Sequence, residues 1–133
     1  MRKRMFRCRH REVNAMEGLS EKVDLTPLIG LQVESLLFGG GHIIMRFDDR
    51  VSIGVECTIL MENSSGHVHR IEDFRADAVE LCGLMGLSIV DAKRTPSGGL
   101  SLQLSSGTRM EIENSNSHYE SFQVHFGDQV FVA

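Results

Sequence analysis

Residues 28–56 and 84–113 can be laid over one another, and this self-similarity limits what the chain can fold into more than any other feature it has. Leu28, Gly30, Leu31 and Val33 align with Leu84, Gly86, Leu87 and Ile89 at an offset of 56, and one extra residue then moves the offset to 57. Beyond it, Ile43, Met45 and Phe47 fall on Leu100, Leu102 and Leu104, Val51, Ile53 and Val55 on Thr108, Met110 and Ile112, and Glu56 on Glu113. In both segments apolar and polar residues alternate with a period of two, the pattern of a strand with one buried and one wet face. Each segment therefore reads as a three-stranded antiparallel β-meander. The first joints, Gly39-Gly40-Gly41 and Pro96-Ser97-Gly98-Gly99, turn the chain because Gly accepts positive φ and Pro fixes φ. The second joints, Asp48-Asp49-Arg50 and Ser105-Ser106-Gly107, read as three-residue hairpins whose last residue is left-handed. Arg50 stands where the other segment has Gly107, so Arg50→Gly is expected to raise stability by about 1 kcal/mol.

Between the segments Ile71, Phe74, Ala78, Leu81, Cys82 and Met85 recur at helical spacing, opposite Glu72, Asp73, Arg75, Asp77 and Glu80. This predicts an amphipathic helix, capped near Asp73 and ended by a left-handed Gly86. Thr26-Pro27-Leu28 predicts a single turn with Thr26 as its cap, and Phe122, Val124 and Phe126 followed by Gly127-Asp128 predict a C-terminal hairpin. The fold class is thus α+β: two antiparallel three-stranded meander repeats flanking one amphipathic helix, plus the hairpin, about eight strands in all. A meander cannot bury its apolar face alone, so the two segments must pack on one another or on the helix.

The length of 133 residues fits one domain, assigned to residues 16–133 with residues 1–15 as a basic, disordered arm. The arm holds Arg2, Lys3, Arg4, Arg7, Arg9 and Arg11; it reads as a solvated tail, a stretch upstream of a start at Met16, or an electrostatic tether. From residue 13 onward, 8 Lys and Arg stand against 17 Asp and Glu, a balance of −9, which repels phosphate backbones and favours basic protein partners. No apolar run reaches the ~20 residues that span a bilayer, and no membrane partner is expected. Three widely spaced cysteines, Cys8, Cys57 and Cys82, argue against a disulfide framework and for a cytoplasmic setting.

Candidate chemistry is sparse. Glu56, Glu111 and Glu113 occupy outward strand positions and form an acidic face, either for solubility or for docking a basic partner. His67 and His69 form a His-x-His pair that, with Glu72 and a distant His118 or His125, would suit a metal. Cys57 and Cys82 fall on apolar series and read as core thiols, and Met45, Met85 and Met110 as core filling. Adjacent Asp48 and Asp49 would point to opposite sides of a strand, so they mark a turn rather than a catalytic dyad. Gly39-Gly40-Gly41 lacks the Lys-Ser/Thr of a phosphate loop, and no cofactor is expected.

Two resemblances add to this reading. Gly66-His67-Val68-His69-Arg70-Ile71-Glu72 resembles part of the first motif of cupins, which implies a metal-dependent enzyme or small-ligand binder using His67 and His69. Gly30-Leu31-x-Val33, Phe47-Asp48-Asp49, Val51-x-Ile53-x-Val55-Glu56, Gly86-Leu87, Leu100-x-Leu102-x-Leu104 and Glu120-Ser121-Phe122 resemble a family of small bacterial domains of unknown function. That resemblance spans residues 25 to 133 and implies no catalytic residues; in type, such compact acidic domains are similar to bacterial immunity proteins. The leading expectation is therefore a non-enzymatic cytoplasmic protein-binding module that occludes a basic toxin domain. The metal-dependent reading is the rival, and a homodimer joined through strand edges a third.

Overall fold

The computed structural model describes residues 19–48, 50–114 and 122–133. The basic arm, Cys8, Met16, Asp49, His118, Glu120 and Ser121 lie outside the described residues. The strands are β1 (Ser35–Phe38), β2 (Ile43–Arg46), β3 (Val51–Val55), β4 (Ile59–Glu62), β5 (Val68–Ile71), β6 (Ile89–Arg94), β7 (Leu100–Leu104), β8 (Arg109–Ile112), β9 (Phe122–Phe126) and β10 (Gln129–Val132). A 3-10 turn (Thr26–Leu28) precedes β1, and one short helix, α1 (Ala78–Cys82), lies between β5 and β6. The strands form two five-stranded antiparallel sheets, ordered β1-β2-β3-β9-β10 and β5-β4-β8-β7-β6.

Each sheet contains one meander, β1–β3 or β6–β8, and beside its third strand a hairpin that belongs elsewhere in the chain. The hairpin that follows the first meander, β4–β5, pairs with β8; the hairpin that follows the second, β9–β10, pairs with β3. The inward residues of both sheets enter one buried cluster, which includes Ile43, Met45, Ile53 and Val124 from the first sheet and Ile59, Leu102, Met110 and Ile112 from the second. Sharing that core removes from water apolar surface that neither sheet could cover alone, at roughly 25 cal/mol per Å².

The meanders also meet directly. Gln32 and Ser88, which stand at the same place in the two segments, form a bridge with each other. Around them the Gly30 N–H donates to Ile89 O at 2.7 Å and the Gly86 N–H to Val33 O at 2.9 Å, while the Val33 N–H donates to Leu87 O at 2.9 Å and the Ile89 N–H to Leu31 O at 2.8 Å. Each bond has its counterpart with the roles of the two segments exchanged, the relation a two-fold axis generates. Gly30 and Gly86 both hold positive φ, 94° and 86°, which lets the chain double back at this junction.

Several expectations are corrected. The long helix shrinks to one turn because Ile71, counted on its apolar stripe, instead ends β5 opposite Ile59. The chain then turns through Phe74–Asp77, where Asp73 Oδ1 accepts the N–H of Arg75 and Ala76 at 3.1 and 3.2 Å. Cys82 and Met85 are consequently exposed, while Leu81 is buried as its place on the stripe predicts and Leu84 is buried beside it in the chain. The described residues form ten strands rather than eight, since the segment that carries the His-x-His pair folds as the β4–β5 hairpin. At the 3-10 turn Leu25 holds the cap position and Thr26 is the first residue of the turn rather than its cap; Asp24 Oδ1 accepts the Thr26 N–H at 3.0 Å.

Candidate functional site

Glu111 and Glu113 follow one another at alternate positions on and just past β8, on the outer face of the second sheet. Their side chains are about a third exposed, and they stand among arginines. Arg109 lies 2.8 Å from Glu62 and 4.0 Å from Glu111; Arg70 lies 2.8 Å from Glu72 and 3.7 Å from Glu113. The arginines are thus engaged chiefly by Glu62 and Glu72, leaving Glu111 and Glu113 with the looser contacts. The Arg70 guanidinium is held above its ordinary range, first by its hydrogen bond to Glu72 and then by the Glu113 charge.

Glu56 lies just past β3, and Cys57 follows it ahead of β4. The Cys57 thiol donates to Glu113 O at 2.8 Å. Burial, then the charge of Glu113 and more weakly that of Glu56, push this thiol up to about 12 from 9.0. Such a group stays protonated at neutral pH and is a poor nucleophile. Cys57 fits the expected core thiol; Cys82 does not, being exposed at the end of α1.

The histidine pair separates. His67 is exposed in the β4–β5 loop, which is organised by Asn63: its Oδ1 accepts from Ser65 N, Ser65 Oγ and His67 N at 3.0, 2.7 and 3.0 Å. His69 lies on β5, with Nε2 3.1 Å from Asp77 Oδ1 just ahead of α1. His125 lies on β9 in the other sheet, with Nε2 3.0 Å from Gln123 Oε1. Among the described residues no three His, Cys, Asp or Glu side chains converge to hold a metal.

A further site escaped sequence reasoning. On the outer face of the first sheet a cleft of about 440 Å³ is lined by Arg46, Asp48, Arg50, Val51, Ser52, His125, Gly127 and Asp128. Asp48 Oδ1 accepts the N–H of Arg50 at 2.7 Å and of Val51 at 2.8 Å, which fixes the β2–β3 turn, and the Gly127 N–H donates to Arg50 O at 2.6 Å. Arg46, Ser52 and His125 are all outward by alternation, but they become neighbours only when β9 pairs with β3. The legible signal was the placing of Arg46 and Arg50 where the other segment has Gln103 and Gly107.

The fold and these surfaces define a small, mostly antiparallel β domain. The chain belongs to the family of unknown function DUF6188, whose model matches residues 24–133. No curated protein and no solved structure matches it. No helix among the described residues is long and apolar enough to cross a membrane.

Proposed function

We propose that this chain is a non-enzymatic protein-binding module acting in the cytoplasm, and that it neutralises a toxin by placing Glu56, Glu111 and Glu113 against a basic cleft of the partner. The observation that supports this reading is the division of labour among the carboxylates. Arg109 and Arg70 sit 2.8 Å from Glu62 and Glu72, whereas the ion pairs of Glu111 and Glu113 among the described residues are longer, 4.0 and 3.7 Å. Carboxylates fixed on a sheet yet loosely paired are preorganised to accept lysines or arginines from outside, and such complementarity speeds encounter and selects partners. The unpaired thiols of Cys57 and Cys82 are in keeping with a reducing compartment. We further infer that residues 28–71 and 84–133 are two copies of one five-strand unit, which the reciprocal hydrogen bonds around Gln32 and Ser88 support.

The test pairs this protein with a basic toxin domain encoded beside its gene. Association is measured at low and at high salt, for the native chain and for Glu56→Lys/Glu111→Lys/Glu113→Lys. The expected result is an association rate that falls about ten-fold or more with salt and with charge reversal, together with loss of protection of growing cells. Binding indifferent to both overturns this surface.

A further inference from the structure

The row Ser35, Arg46, Ser52, His125 and Val130 crosses the outer face of the first sheet. The row at the same place in the second sheet is Asp91, Gln103, Arg109, Glu62 and Val68. There the cross-strand pair Glu62 and Arg109 closes on itself at 2.8 Å. Its counterpart in the first sheet is Ser52 opposite His125, a hydroxyl facing an imidazole with no carboxylate in the pair, and there the cleft of about 440 Å³ opens. Arg46 enters it from β2 and Arg50 from the β2–β3 turn, and neither forms an ion pair with a carboxylate among the described residues.

We propose that this cleft binds a single oxyanion, gripped by the guanidinium groups of Arg46 and Arg50 with the Ser52 hydroxyl as a further donor. Guanidinium presents paired N–H donors in a planar fork that matches carboxylate and phosphate oxygens, and it stays charged at every physiological pH. The volume falls within the range of small-ligand sites. Gly127 contributes by lacking a side chain: a methyl there would lie 2.6 Å from Arg50 Nη2, so glycine gives the guanidinium room to lie over the hairpin turn. The two carboxylates that also line the cleft set the selectivity. Asp48 spends Oδ1 on two backbone amides, and Asp48 with Asp128 opposes a polyanion, so one compact oxyanion is taken while a nucleic-acid backbone is refused. This site is separate from Glu56, Glu111 and Glu113 and stands or falls independently of the toxin reading.

The test is an amide NMR titration of the full chain with inorganic phosphate and, separately, with acetate, at constant ionic strength. Saturable shifts are expected at Arg46, Arg50, Ser52, His125 and Gly127, with none around Glu62 and Arg109. Saturation by phosphate alone assigns a phosphoryl ligand, and saturation by acetate as well assigns a carboxylate. Affinity should fall about ten-fold in Arg46→Gln, which leaves the turn intact, and further in Arg46→Gln/Arg50→Gln. No saturable shift with either probe, or undiminished affinity in a natively folded Arg46→Gln variant, overturns the proposal.

Discussion

Across the first sheet one outward row reads Leu37, Ile44, Gly54, Gln123 and Val132; across the second the matching row reads Lys93, Ser101, Glu111, Leu60 and Arg70. The inward residues tell the opposite story, since Met45 and Leu102 occupy the same place in their meanders and both are fully buried. The backbone ladder and the apolar interior specify the pair of sheets, so the outer rows are free to differ in chemistry. One row is apolar but for Gln123 and shares its sheet face with the two-arginine cleft; the other is laced with charges that partly cancel. Exposed ion pairs of the second kind contribute at most about 1 kcal/mol each to stability, so their arrangement matters more for recognition than for folding.

The largest expected effect probes the shared interior. Met45→Ala and Leu102→Ala should each cost about 3 kcal/mol in urea unfolding, and both variants should unfold in a single transition. Two separated transitions would break the picture of one core beneath two unlike faces. Next comes the turn between β6 and β7, where a methyl on Gly99 would overlap the carbonyl oxygen of Ile112. Gly99→Ala should cost about 2 kcal/mol, while Gly41→Ala in the β1–β2 turn, with nothing within 4 Å, should cost less than about 0.5 kcal/mol.

A smaller contrast sharpens the comparison at the other end of the sheets. Gly107 has φ +92° and its missing Cβ would meet Ser64 Cβ at 3.0 Å, whereas Gly127 has φ +61° and would meet only the movable end of Arg50. Gly107→Ala should therefore lose about 1.5 kcal/mol and Gly127→Ala about 1 kcal/mol, with equal losses arguing against the tighter turn in the second sheet.

The last effect is absent at neutral pH. The folded Cys57 thiol titrates near 12 and the unfolded one near 9.0, so its contribution to stability is complete below pH 9 and is lost as pH rises from 9 toward 12. In a Cys8→Ser background an alkylating reagent should modify Cys82 promptly at pH 8 and Cys57 only on unfolding. Fast modification of both would place Cys57 nearer to solvent than its burial indicates.

The strands legible in the sequence were those with unbroken alternation, such as Ile43-Met45 and Leu100-Leu102-Leu104, because period two needs only local information. The hairpin β4–β5 was harder. Ile59–Glu62 is short, its loop is polar, and Ile71 suits a helical stripe as well as a strand end; pairing with Ile59 decides between them, and pairing is not local. For the same reason the outward placement of Glu111 and Glu113 could be read, but not the arginines that flank them, nor the meeting of Ser52 with His125 across more than 70 positions of chain. Asp73 and Asp77, read from the sequence as the polar face of a long helix, lie ahead of α1 for the same reason: Asp73 holds the preceding turn and Asp77 faces His69.

The exchange of hairpins between sheets sets a timetable. When β3 emerges from the ribosome its outer edge has no neighbour, and none arrives until Phe122–Phe126 have been made. Until then the first sheet carries a bare edge of unsatisfied amides and carbonyls, an invitation to pair with another nascent chain. β9 and β10 thus act as a clasp: the first sheet is safest in the cell once residues 122–132 have closed over strands begun at residue 35.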